Sequence, residues 1–275
     1  MKHLTLLVLI FCSMLFVTSC NYDNDTIILE SFNKFSLYWK HEVFGEEGRR
    51  FVFGFTAKYE FNNSYEMKFN TKIDENKIEI FLSDLINEGK CPKFPTIHGI
   101  DSMCQPKGTI YIPESILNKG TYDILFITHN FSILSQLIVD DEIITLNVPD
   151  NQYLDPYVHK VYPIPKDILW GSIGYNGIEN EKFASKFIDD LISIGLQRTT
   201  LPDYPYEYFR VDSTGNPCDE YHPPDRYYKA LFFKMNNNFT DIYKLAEQYH
   251  KQANEEISIS VFTGNGEQAH FSSRN

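Results

Sequence analysis

From Thr26 to about Asp150, apolar and polar residues alternate with a period of two, and turn residues interrupt them at short intervals. Residues 50–55, 65–69, 77–82, 109–112, 122–127, 135–139 and 142–148 fit strands, because successive strand side chains face opposite ways. Lys119-Gly120 and Asp140-Asp141 supply turns between them. Residues 151–167 hold Pro156, Pro163 and Pro165 without periodicity and predict a linker.

The period then changes. Residues 168–175 predict a strand, and 180–194 a helix with Phe183, Phe187, Leu191 and Ile194 on one face and Gly195 as its stop. Residues 207–211 and 228–235 predict strands on either side of a turn at 213–217. A second helix over 239–253 has Asn238 as its cap and Ile242, Leu245, Ala246 and Tyr249 on its core face; 257–262 closes as a strand. The expected fold is therefore two domains. The first is an antiparallel β-sandwich of immunoglobulin-like type over 27–150, without the Cys–Trp–Cys spacing of true immunoglobulin domains. The second is a two-layer α+β sandwich over 168–275, in the ferredoxin-like order strand, helix, strand, strand, helix, strand.

The first residues follow another rule. Lys2 precedes an apolar run at 4–17, which falls short of the roughly 20 apolar residues a membrane-spanning helix needs. It fits the h-region of a cleaved signal peptide over 1–19. Val17-Thr18-Ser19-Cys20 resembles the lipobox of bacterial lipoproteins. That resemblance implies cleavage before Cys20, a diacylglyceryl group on its sulfur, acylation of the new amino terminus and a lipid-anchored place in the outer membrane. Residues 20–26 then form a tether. Asn21-Tyr22-Asp23-Asn24-Asp25 resembles the acidic export signals of surface lipoproteins in the Bacteroidetes, implying display at the cell exterior; the same residues serve equally as a plain solvated spacer.

Charge and cysteines narrow the picture. With 25 Lys and Arg against 37 Asp and Glu, the chain is net −12, which excludes the electrostatic footprint of a nucleic-acid binder. In an exported chain Cys91 and Cys104 are the natural disulfide pair, leaving Cys218 over.

The densest chemistry lies at 203–228. Tyr204, Tyr206, Tyr208 and Tyr221 stand close to Glu207 and Asp219, and tyrosines beside carboxylates suit a glycan surface or a protein interface. The competing reading is that some of these rings simply cover the sheet. Cys218, Asp219 and His222 carry zinc-ligand chemistry, but their spacing matches no established site. No nucleophile elbow or phosphate loop is present; no catalytic residue, metal ligand or cofactor is assigned. The expectation is a non-catalytic, lipid-anchored binding module whose partner is a glycan or a surface or secreted protein. The rivals are a hydrolase or metalloenzyme using the Cys218/His222 loop, and a structural lipoprotein facing the periplasm.

Overall fold

The structure is a computed structural model that describes residues 33–96, 99–101, 103–218, 227–236 and 238–273. The expected signal peptide over 1–19, Cys20 and the expected tether over 20–26 lie outside the described residues.

The alternating stretch builds most of a ten-stranded sheet. Its strands are β1 (Phe35–Gly45), β2 (Gly48–Ala57), β3 (Asn63–Asp74) and β4 (Lys77–Lys90), then, after the small hairpin β5 (Phe94–Thr96) and β6 (Gly99–Asp101), β7 (Lys107–Pro113), β8 (Gly120–Ile127), β9 (Ser132–Val139) and β10 (Ile144–Asn147). Two short strands complete it, β11 (Leu154–Pro156) and β12 (Lys160–Val161). The order across the sheet is β11-β1-β2-β7-β3-β4-β8-β9-β10-β12.

This overturns the two-sandwich expectation. The described residues are mostly β, 51% strand and 15% helix, and their larger part is one mixed sheet curled into a half-barrel. Two packed antiparallel sheets would need a meander or Greek key, whereas β4 runs parallel to β8 and β1 parallel to β11. The alternation is the same in either architecture, because each strand has one buried face. Here a single concave face takes Leu37, Trp39, Phe51, Phe53, Ile80 and Leu137 into one core.

The curl has a covalent cause. β11 and β12 lie within 151–167 and form opposite edges of the sheet, yet only Tyr157, Val158 and His159 separate them. A span that short brings the two edges within roughly 14 Å of each other, so the sheet cannot lie open. Three hydrogen bonds fasten the strap: Tyr157 N–H donates to Leu37 C=O at 2.9 Å, Leu146 N–H to His159 C=O at 2.8 Å, and the buried Trp39 indole N–H to Val158 C=O at 2.6 Å.

The Cys91–Cys104 disulfide forms as expected, with the β5–β6 hairpin inside its loop. Closing a loop of this length contributes about 3 kcal/mol in the chain-entropy model.

The second sheet has five strands, all antiparallel to their neighbours. They are β13 (Ile168–Tyr175), β14 (Gln197–Arg198), β17 (Tyr227–Lys234), β18 (Ile257–Thr263) and β19 (Gln268–Phe271), with β15 (Arg210–Val211) and β16 (Pro217–Cys218) forming a separate hairpin. The described residues contain two α-helices, α1 (Glu181–Ser193) and α2 (Phe239–Gln252). Both pack on one face, where Phe187, Leu191, Ile242 and Ala246 meet Leu169, Ile173, Phe233 and Ile259. Asn238 caps α2, its side chain accepting from Thr240 N–H at 2.9 Å.

A two-layer sandwich would leave the other face bare. Instead Trp170, Phe232 and Phe262 on that face are covered by Tyr206, Phe209 and Val211 and by Val43 and Phe44 of β1. The expected sheet strand at 207–211 is absent for this reason: its residues lie across the sheet, and β15 pairs only with β16. A third, aromatic layer therefore joins the five-stranded sheet to the half-barrel.

Trp39→Phe keeps the ring packing against Phe53 and deletes only the seam hydrogen bond, leaving the Val158 carbonyl without that donor. Urea unfolding is expected to show a loss of about 1–2 kcal/mol; an unchanged midpoint would mean that the strap does not hold the curl.

Candidate functional site

β11 pairs with β1 only at Phe35, Ser36 and Leu37, so among the described residues the outer edge of β1 beyond that point has no strand neighbour. The loop after β14 docks there. The Tyr208 hydroxyl accepts a hydrogen bond from Val43 N–H at 3.0 Å, and Phe44 meets Tyr208, Trp170 and Phe262 with ring centroids 5.1, 5.9 and 5.7 Å away. Tyr204 stacks on Tyr162 at 4.4 Å.

The tyrosines singled out in the sequence therefore divide. Tyr206 is only 8% exposed, and burial, then Tyr204, pushes its phenol up to about 12. Tyr204 and Tyr208 are half-buried in the same aromatic layer, and burial raises the Tyr208 phenol as well. Asp219, Tyr221 and His222 lie outside the described residues, and Cys218 pairs through its backbone with Arg210. Among the described residues no three His, Cys, Asp or Glu side chains converge to hold a metal ion.

Glu207 turns outward instead. Its carboxylate accepts from Lys40 Nζ at 3.2 Å and from the Tyr38 phenol, which burial and then Glu207 push above its ordinary range. Burial alone would lower the Lys40 ammonium, but the bond to Glu207 outweighs it and the net shift is upward.

This contact opens onto the convex face of the half-barrel. Tyr38 lies opposite Gly54, and Gly54 opposite Thr109; one step along, Lys40, Val52 and Tyr111 form the next row, then Glu42, Arg50 and Pro113. The residues between them on each strand point into the core. Tyr38 is 42% exposed and Tyr111 53% exposed. Arg50 is fixed by Glu42 at 2.6 Å and lies over the Tyr111 ring, 4.0 Å from its centroid. The result is a surface with two exposed rings and two cation–carboxylate pairs.

Tyr38 and Tyr111 escaped the reading of the sequence. Their signal was present: each is a large ring in an outward slot, between Leu37 and Trp39 and between Ile110 and Ile112.

A second charged cluster is structural. Arg49 Nε donates to Glu114 at 2.5 Å, and its Nη1 donates to the carbonyls of Ile164, at 2.9 Å, and Gly264. His41 Nε2 lies 2.7 Å from Glu114, and Lys166 Nζ lies 3.1 Å from it. Burial would raise the Glu114 carboxyl, but the His41 hydrogen bond and the Arg49 guanidinium outweigh it and hold the group far below the carboxylate range. Burial lowers His41 more than Glu114 raises it, so the imidazole stays neutral and donates from Nε2. The turn at 264–266 completes the junction. Gly266 has φ +91°, and a Cβ there would come within 2.7 Å of Val43 C=O.

Comparison with family models, with curated proteins and with solved structures gives no match to this chain.

Tyr206→Ala is expected to cost about 3 kcal/mol, in the range of large aromatic deletions, whereas Glu207→Ala, on the surface, should stay within about 1 kcal/mol. Equal losses in urea unfolding would contradict the inward and outward assignments. Glu114→Gln strands the Arg49 guanidinium and should cost about 3 kcal/mol at pH 7. A carboxyl with a depressed folded pKa stabilises fully above its ordinary 4.5 and loses that contribution as pH falls toward the folded value. The gap between wild type and Glu114→Gln should therefore narrow below about pH 4.5. His41, depressed below its ordinary 6.5, adds acid sensitivity from that pH downward in both proteins.

Proposed function

We propose that this chain is a lipid-anchored protein of the bacterial cell envelope whose folded part is a non-catalytic binding module. The observation that carries the binding reading is the convex face: Tyr38 and Tyr111 stand exposed while Lys40, Glu42, Arg50 and Glu207 beside them are already paired. Such preorganisation favours binding because few side chains lose freedom when a ligand arrives. Val17-Thr18-Ser19-Cys20 supports the anchor, with a diacylglyceryl group on Cys20. The Cys91–Cys104 disulfide supports an oxidising compartment outside the cytosol. Two or three acyl chains suffice for stable attachment at about 0.8 kcal/mol per buried CH2. The half-barrel would then present its convex face to partners reaching the envelope, and the second sheet would brace β1 from behind.

In cells, the wild type is expected in the detergent-rich phase of a membrane extract and the Cys20→Ala variant in the aqueous or precursor fraction; identical partitioning would sink the anchor. A photo-crosslinking side chain at Thr109, beside both rings, is expected to yield a species heavier than the chain on whole cells. Irradiation that leaves the chain uncoupled would contradict the binding reading.

A further inference from the structure

We infer that the convex face of β1, β2 and β7 is a binding site for a neutral oligosaccharide. The inference rests on the binding reading above and names the ligand class that the face fits.

The first observation is the slot at Gly54. A Cβ built there would meet only the Tyr38 carbonyl oxygen, at 3.7 Å, so the space above Gly54 is open. Every other outward position in the two flanking rows carries a side chain, which makes Gly54 the floor of a shallow trough between Tyr38 and Tyr111. The second is spacing. Tyr38 and Tyr111 are two strands apart and offset by two residues, which puts their Cα atoms about 12 Å apart at ordinary sheet spacings. A short oligosaccharide covers that distance and a monosaccharide does not.

The third observation is charge. Lys40 and Arg50 balance Glu42 and Glu207, and each cation is already bonded to a carboxylate. These four charges balance and so offer no net attraction to a polyanion or a polycation. Its paired groups keep spare lone pairs and N–H bonds that suit hydroxyls, which donate and accept together. The exposed rings supply apolar platforms for the C–H faces of pyranoses. Arg50 covers one face of the Tyr111 ring, yet the residue remains 53% exposed, so its open side is the one a sugar meets. A protein partner would instead require a larger, more apolar centre than two rings framed by ion pairs.

The test is affinity electrophoresis of the full lipidated protein in detergent, through gels containing cellulose ether, xylan, mannan, laminarin or amylose, with dextran sulfate as the anionic control. At least one neutral polysaccharide is expected to retard the wild type, with little change on adding salt. Tyr38→Ala, Tyr111→Ala and Gly54→Val should each weaken that retardation about tenfold or more, equivalent to about 1.4 kcal/mol. Gly54→Val fills the trough without removing any chemistry, and an unchanged near-ultraviolet circular dichroism spectrum verifies its fold. Retardation by none of the neutral polymers overturns the inference, as does retention by dextran sulfate alone, or retention that survives all three substitutions. A protein crosslinked at Thr109 without any polysaccharide binding overturns the sugar assignment and leaves the binding module standing. Loss of both signals removes the binding module too.

Discussion

The outer edge of β1 is the constraint on which the rest of the molecule turns. A strand edge presents unpaired N–H and C=O groups, and a fold must cover them or risk pairing with other chains. β11 covers the edge only as far as Leu37. Beyond that the loop carrying Tyr204, Tyr206 and Tyr208 takes over, and Tyr208 satisfies the Val43 N–H. That one docking event brings Glu207 against Tyr38 and Lys40, and it lays Tyr206 and Phe209 across the second sheet. The exposed face and the buried junction are two sides of the same contact.

The two sheets are held together by two different kinds of force. The aromatic layer around Trp170 and Phe44 is apolar burial, which is non-directional and tolerates sliding. The Arg49 cluster is directional: one guanidinium reaches Glu114 on the half-barrel side and the carbonyls of Ile164 and Gly264 on the other. Arg49 therefore fixes the angle that the aromatic layer alone would leave loose. Gly266 admits the close approach of the 264–266 turn to β1.

Much of this was legible in the sequence, but unevenly. Strands β2 to β4 and β7 to β10 follow from alternation and both helices lie where their apolar spacing puts them, because those patterns record which face is buried; β1 was not among the expected strands. What alternation does not record is which strand lies beside which. The parallel pairing of β4 with β8 and the closure by β11 and β12 depend on register and on a strap of three residues, too short to carry any period. The tyrosine-rich loop was visible as a concentration of rings near carboxylates. The split between buried Tyr206 and outward Glu207 was not, because it is decided by Trp170, Phe232 and β1, all remote in sequence. Tyr38 and Tyr111 were missed because an aromatic in a strand reads first as core. Their outward parity, shared with Gly54, was the available clue.

The loop at 204–209 is fixed on β1, so that the convex face draws on both sheets. Native-state hydrogen exchange at the Val43 amide tests it most directly, since that N–H points at Tyr208 and has no strand partner on its side. With the loop fixed on β1, Val43 exchanges only through global unfolding, with the same opening free energy as the core amide of Phe53. Exchange as fast as that of the exposed turn at Glu47 would contradict it, and would make the loop a mobile appendage beside an open strand edge.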